Sequence, residues 1–387
     1  MIKLGIDVLV ASKFAPIKGK RVGLYTNLSA VDSELVPTYL LFAQATEMNL
    51  VALFAPEHGI MGAQPDGEKV SSTIDETSKV PVYSLYGEHY RPLAESLKEL
   101  DVLVCDIQDI GVRYYTFLWT LSYILEACAE YDVPVLICDR PNPLGGDTVQ
   151  GSPLDEGFSS IVGRFNIPIR HGMTIGELAR MMNEVFLPKP ANLTVIACEN
   201  YQRSMNFWAQ DRQWIPPSPN LPHYVNTEHY AGSCLIEGTN FSEGRGTAMP
   251  FKIMGAPFLN GVVFADYMNL QELEGVRFRP YSFRPTTSKF NGEVCNGMMA
   301  HITNAHTYNP LEVWLSVLRE LRIAYAEEFQ WLPPYKEGGH NHFDLLIGND
   351  TVRQQIDDGV SVAEMMNAWL PYIEDFSRRR LVYLMYQ

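Results

Sequence analysis

Between residues 21 and 198 the chain repeats one arrangement, and that repetition restricts the fold more than any other feature. Short, almost wholly apolar runs (Arg21–Thr26, Leu50–Phe54, Asp101–Cys105, Val133–Cys138, Leu193–Cys198) alternate with stretches of helical periodicity. The helical stretches are Leu35–Glu47, Tyr90–Leu100, Phe117–Glu130 and one that runs from Thr174 to Phe186. The last opens with Thr174-Ile175-Gly176-Glu177, a pattern in which hydroxyl and carboxylate satisfy each other's backbone N–H groups. Strands alternating with helices are joined by right-handed crossovers and pair in parallel. Strands apolar throughout need cover on both sides. The predicted class is α/β, a Rossmann-like, mostly parallel sheet with helices on both faces. In such sheets ligands bind beyond the carboxyl ends of the strands. The polar residues of this sequence gather there: Glu57-His58, Asp106 to Arg113, and Asp139-Arg140 each follow an apolar run directly. A Gly-rich loop is expected from Gly59 to Ser72.

From about Ser218 the texture changes to loop chemistry, first Pro216-Pro217-Ser218-Pro219-Asn220 and then Gly238–Gly246. Beyond it, β-rich pieces (Gly261–Phe264, Gly297–Ile302) mix with helices. One helix is expected to start at Asn309-Pro310, with Asn as cap and Pro as first helical residue. Another is expected at Ser361-Val362-Ala363-Glu364. At 387 residues the chain is long enough for two domains. The expected division is a Rossmann-like catalytic domain over residues 1–240 and a smaller α+β auxiliary domain over residues 241–387.

The net charge of −15 disfavours binding a nucleic-acid backbone. The one dense basic cluster, Arg378 to Arg380, reads as a helix end complementing its own dipole. No apolar run is long enough to span a bilayer, and Met1 to Ala15 carries no export signal. The expected location is the cytoplasm if Met1 is the natural start, and the periplasm or the exterior if a signal was removed. None of the six cysteines forms a C-x-x-C pair; Cys105, Cys138 and Cys198 sit in strand-like runs and read as buried thiols. The dinucleotide fingerprint G-x-G-x-x-G, the Walker A loop, H-E-x-x-H and G-x-S-x-G are all missing. No cofactor and no metal are expected, and the nicotinamide-dependent oxidoreductase reading of such a sheet is disfavoured.

What remains is a set of acids, arginines, amides and aromatics at loop positions. That set suits acid/base chemistry by carboxyl groups on a polar, ring-shaped substrate. Glu57 is the strongest candidate, because it follows a buried strand and precedes Gly59. Burial there would raise its pKa toward the working pH, as a general acid needs. The alternative is a solvated or arginine-paired loop glutamate. Asp106 and Asp109 are further catalytic candidates, with a helix cap as the alternative for Asp109. Asp139 and Arg140 are substrate-binding candidates, or else a structural ion pair. Arg113, Arg140 and Arg245 are candidates for gripping a carboxylate. Tyr114 and Trp214 suit stacking on a sugar face, whereas Trp119 reads as core. His58 and His171 are hydrogen-bonding candidates rather than metal ligands. Asn240 and Arg245 lie in a Gly-punctuated loop that brings backbone N–H groups near a ligand or makes a tight turn. Glu237 and Glu243 are alternative partners for Glu57.

Six motifs occur in order: Phe54-Ala55-Pro56-Glu57-His58-Gly59, Asp106 through Thr116 (DIQDIGVRYYT), Asp139-Arg140-Pro141-Asn142-Pro143, His171-Gly172-Met173-Thr174, Pro217-Ser218-Pro219-Asn220 with Leu221-Pro222, and Glu237-Gly238-Thr239-Asn240 with Gly244-Arg245-Gly246-Thr247. Together they resemble the NamZ exo-β-N-acetylmuramidases, long catalogued as a domain of unknown function. The resemblance runs from about Gly5 to Phe343–Gly348. It implies a glycoside hydrolase releasing non-reducing terminal β-1,4-linked N-acetylmuramic acid from muropeptides or other peptidoglycan fragments. It also implies a Rossmann-like domain plus an auxiliary domain with the active-site cleft between them, and places the family's catalytic glutamate on Glu57. His58, Arg113, Tyr114, Asp139, Arg140, His171, Asn220, Glu237, Asn240 and Arg245 are then expected to bind substrate. The rival readings are an exo-hydrolase of another 2-acetamido sugar and a non-catalytic muropeptide-binding protein.

Overall fold

A computed structural model of the chain describes residues 1–62 and 73–387. The part of the expected Gly-rich loop beyond Gly62 lies outside the described residues. The chain packs into two compact units. The first comprises Met1–Thr148, His171–Pro219 and Arg378–Gln387; the second comprises Val149–Arg170 and Asn220–Ser377. Residues 220–240, grouped from sequence with the first domain, thus belong to the second unit.

The first unit is built on a seven-stranded sheet. Its strands are β1 (Arg21–Tyr25), β2 (Asn49–Ala55), β3 (Thr73–Ile74), β4 (Pro81–Ser84), β5 (Val102–Cys105), β6 (Val135–Cys138) and β7 (Leu193–Ile196). Their order is β3-β4-β2-β1-β5-β6-β7. All neighbours pair in parallel except the short edge strand β3. The order reverses between β1 and β5, which makes their carboxyl ends the switch point. Strand alternation divides the side chains. Val22, Leu24, Val102, Val104, Leu136 and Cys138 point to one face, with Leu4, Ile6 and Leu9 of α1 (Gly5–Ala11), of which Leu4 is the cap, and Tyr39 and Phe42 of α2 (Thr38–Gln44). Tyr25 points to the other, where its hydroxyl donates to the Phe117 carbonyl. After the single turn α3 (Ala94–Leu97), that second face carries α4 (Thr116–Glu130), on which α5 (Ile175–Val185) packs. The α/β expectation therefore holds, with helices on both faces.

Thr174 caps α5 as its sequence indicates: its hydroxyl accepts from Glu177 N, and the Glu177 carboxylate accepts from Thr174 N. The helix expected over Tyr90–Leu100 is reduced to one turn. Pro92 accounts for this, because it disfavours helical backbone at Arg91. All six cysteines are buried free thiols.

The second unit holds α6 (Tyr224–Ser233) and a three-stranded antiparallel sheet of β8 (Ile253–Ala256), β9 (Val276–Phe283) and β10 (Cys295–Ile302), in the order β8-β10-β9. Gly261–Phe264, expected as β-rich, is the start of α7 (Gly261–Leu270). The Asn260 side chain caps that helix through Val263 N, and this local bond outweighs the β propensity of Val262 and Val263. Asn309 and Pro310 do open α8 (Pro310–Ala324). Three more helices follow: α9 (His342–Ile347), α10 (Thr351–Asp357) and α11 (Val362–Arg380). Arg380 does more than complement the helix end; it donates to the carbonyls of Gly146, His171 and Gly172.

Candidate active site

Glu57 stands two residues past the end of β2. The next two residues, His58 (φ 71°) and Gly59 (φ 75°), both have left-handed backbone. Glycine adopts this freely, but histidine does so at a cost, so the chain turns sharply just past Glu57 at some strain. The turn buries His58 and leaves Glu57 half-buried. Thr116 donates its hydroxyl proton to Glu57 Oε2 at 2.8 Å. Thr116 is the first residue of the 15-residue helix α4, so the carboxylate lies at a helix amino end, where peptide dipoles favour negative charge. Tyr90 is close by: burial raises its phenol above the ordinary value, and the charge of Glu57 adds to this.

Asp109 and His171 come together. Asp109 Oδ2 accepts from Gly111 N at 2.7 Å and lies 3.9 Å from His171 Nε2. Gly111 has φ 86°, and a Cβ there would press into the Asn142 side chain, so only glycine presents this N–H. Asp109 Oδ1 has no hydrogen-bond partner among the described residues. Burial pushes the Asp109 carboxyl up to about 7, partly offset by the N–H groups of Gly111 and Ile110. His171 Nδ1 accepts from Met173 N, which leaves the ring proton on Nε2.

Asp106 and Arg140 are each other's partners. Arg140 Nε and Nη2 reach the two oxygens of Asp106 at 2.6 and 2.7 Å. Thr38 also donates to Asp106, and Arg140 to the Val31 carbonyl. Both side chains are essentially inaccessible. This is a locked structural pair, and it withdraws Asp106 from proton transfer. Asp139 is likewise engaged, accepting from Tyr386 OH, Thr174 Oγ1 and Gly176 N. Burial raises its carboxyl to about 6 against these three donors. Asp139 ties α5 and the C-terminal residues to the end of β6; it does not present an oxygen outward. Arg113 and Tyr114 are buried, as is Trp119, whose indole donates to the Arg113 carbonyl. Tyr114 therefore offers no face for stacking, whereas Trp214 lines a small pocket with Gln108, Arg140 and Arg212.

The remaining candidates belong to the second unit. Arg245 is held between Glu237 Oε1 (2.8 Å) and Glu243 Oε1 (3.4 Å), with its guanidinium over the Phe251 ring. His342 Nε2 lies 3.5 Å from Glu237 Oε2. Burial acts to raise the Glu237 carboxyl, but Arg245 and His342 outweigh it and hold it well below the ordinary range. Lys289 donates to Glu243 and to the carbonyls of Ile236, Glu237 and Phe241. Asn240 bonds the backbone at Glu328 and Gln330. Arg245 and Asn240 are thus engaged in building their loop. Asn220 is half-buried at the start of this unit.

Three functional neighbours escaped the sequence reading. Thr116 closes a motif already singled out, and its hydroxyl at a helix start was a usable signal. Arg212 and Lys289 sit in segments with no motif and gave none. Among the described residues no group of three His, Cys, Asp or Glu side chains is placed to hold a metal ion, and no helix is long and apolar enough to cross a membrane.

Fold and site define an α/β protein that offers a carboxyl group beyond the strand ends of a Rossmann-like sheet. Residues 22–225 match the N-terminal model, and residues 228–386 the C-terminal model, of the exo-β-N-acetylmuramidase NamZ family, and the chain belongs to that family. It is 40% identical over 385 residues to the peptidoglycan β-N-acetylmuramidase NamZ of Bacillus subtilis (strain 168), covering 100% of this chain and 91% of that protein. Two crystal structures of DUF1343 family proteins from Bacteroides fragilis share the fold. One superposes with a TM-score of 0.91 at 35% identity and the other with 0.79 at 33%, each covering 100% of this chain and 99% of the other.

Proposed function

We propose that the protein is an exo-β-N-acetylmuramidase that releases non-reducing terminal N-acetylmuramic acid from peptidoglycan fragments, with Glu57 moving the proton at the scissile bond. The placement of Glu57 carries this reading. It stands just beyond a strand end, half-buried, and accepts a hydrogen bond from the Thr116 hydroxyl at a helix amino end. Hydrolysis must deliver a proton to the leaving oxygen as its bond to C1 breaks, and add water at C1. A 2-acetamido group supplies an internal nucleophile, so one well-placed carboxyl can serve where two are otherwise needed. Asp109 is buried and bonded to backbone within its own segment. Its bond to Gly111 N fixes the segment that ends at Thr116, which makes it a positioning residue for Glu57.

The test is release of chromophore from para-nitrophenyl β-N-acetylmuramide beside the matching N-acetylglucosaminide. Glu57→Gln is expected to lower kcat on the muramide about 1000-fold with the melting temperature retained. Full activity in that variant removes Glu57 from the reaction. Turnover of the glucosaminide alone by the unaltered protein would favour a different 2-acetamido sugar. Saturable muropeptide binding without product would favour a binding protein.

A further inference from the structure

A narrow pocket of the first unit opens at the switch point of its sheet. It is lined by Ser29 beyond β1, Gln108 beyond β5, Arg140 beyond β6, and Arg212, Gln213 and Trp214. Its volume is about 20 Å³, room for one or two water-sized groups. A carboxylate fits that space and a sugar ring does not.

The guanidinium groups around it are incompletely bonded. Arg140 uses Nε and Nη2 on Asp106 and Val31, while its Nη1 makes no hydrogen bond among the described residues. Arg212 is half-buried and has neither an ion pair nor a hydrogen bond among the described residues. Burial lowers its pKa to about 10, and the charge of Arg140 adds to this. The nearby acids are already spent. Asp106 is taken by Arg140 and Thr38, and Asp7 by Leu4 N and by the N–H and hydroxyl of Ser33. Two guanidinium groups therefore converge on a small pocket, Arg140 with one nitrogen unbonded and Arg212 with no ion pair among the described residues, an arrangement that favours an anion with planar oxygens. Trp214 adds an aromatic surface beside it. Glu57 stands beyond β2, and the strand ends that line the pocket lie one to three strand spacings from it, roughly 5–15 Å. That range includes the span of one sugar with a short side chain.

We infer that this pocket takes the lactyl carboxylate of N-acetylmuramic acid, with Arg212 as the residue that sets preference for the acid sugar. The inference rests on the muramidase reading, and the experiment keeps the two apart. Its readout is the ratio of kcat/KM for para-nitrophenyl β-N-acetylmuramide to that for its lactyl methyl ester, in the unaltered protein, Arg212→Gln and Arg212→Lys. Arg212→Gln is expected to lower kcat/KM for the acid about 100-fold and to bring the ratio close to one; Arg212→Lys is expected to restore part of the ratio. A ratio unchanged in Arg212→Gln, or equal losses on acid and ester, overturns the assignment. If the unaltered protein cleaves neither compound, the muramidase reading fails and calorimetry judges the pocket. Binding of N-acetylmuramic acid over its methyl ester, lost in Arg212→Gln, then supports a carboxylate pocket; equal binding of both overturns it.

Discussion

The candidate site of the first unit and the Gly-punctuated loop of the second hold their acids differently. In the first, the Thr116 hydroxyl donates to Glu57, and Asp109 sits beside a histidine and backbone N–H groups with no arginine or lysine bonded to it among the described residues. In the second, Glu237 and Glu243 are bound by Arg245, Lys289 and His342. An acid paired with cations is held ionised and fixed in place, which suits it to shaping a loop. A buried acid with no cation bonded to it, as at Asp109, has its carboxyl pushed up toward neutrality. The motif sequences look alike in the two places, since each carries an acid within two residues of a glycine. The partners make the difference.

The comparison breaks most visibly if Glu57 and Glu237 respond alike to removal of charge. Glu57→Gln should remove about 1000-fold of kcat and leave thermal stability within about 0.5 kcal/mol. Glu237→Gln should do the reverse on stability, at a cost of about 2–3 kcal/mol by denaturant unfolding. That is less than the roughly 3–5 kcal/mol of a fully buried pair, because Arg245 and Glu237 keep 17% and 19% exposure and Glu243 remains as a partner. Equal stability losses at both positions would erase the distinction.

Asp109 sharpens it through pH. Its folded-state pKa of about 7 lies above the ordinary 3.8. The native state therefore holds this proton more tightly than the unfolded chain. The resulting stabilisation is fully present below about pH 4 and is lost as pH rises through 7. The slope is about 1.4 kcal/mol per pH unit inside that window and flat above it. Asp109→Asn should remove this slope, so the variant gains on the unaltered protein as pH climbs from 4 to 7. A stability difference independent of pH would mean that the carboxyl is ionised throughout.

How much of this was legible in the sequence depends on the range of the interaction concerned. The parallel sheet was, because each strand announces itself within a few residues; so were the caps at Thr174 and Asn309. The strand-end position of Glu57 was legible too. The fate of its neighbours was not. Asp106 and Arg140 lie on different strand ends, and only the order β1-β5-β6 makes them a pair. Arg245 reads in the sequence as a grip for a carboxylate, and its bonds to Glu237 and Glu243 come from packing that the motif does not encode. Arg212 carries no motif and stands out only because no described residue bonds to it, which local sequence does not encode. Gly261–Phe264 failed for a smaller reason, since a single asparagine cap turned a β-branched run into a helix.

The smallest effect comes from Thr174, which does two things with one hydroxyl. It accepts from Glu177 N at 3.2 Å and donates to Asp139 Oδ2 at 2.7 Å. Thr174→Ala should cost about 1 kcal/mol through loss of the cap, at any pH. It should also push the Asp139 carboxyl above its present value of about 6, since the lost donor favoured the charged form. The ionised carboxyl is then less well held in the native state, so the penalty is smaller at pH 4 and larger at pH 8. Thr174→Ser, which keeps the hydroxyl, should show neither the cost nor the pH dependence. A penalty of one size from pH 4 to 8 would confine Thr174 to the helix. It would leave Tyr386 and Gly176 as the donors that settle the charge of Asp139.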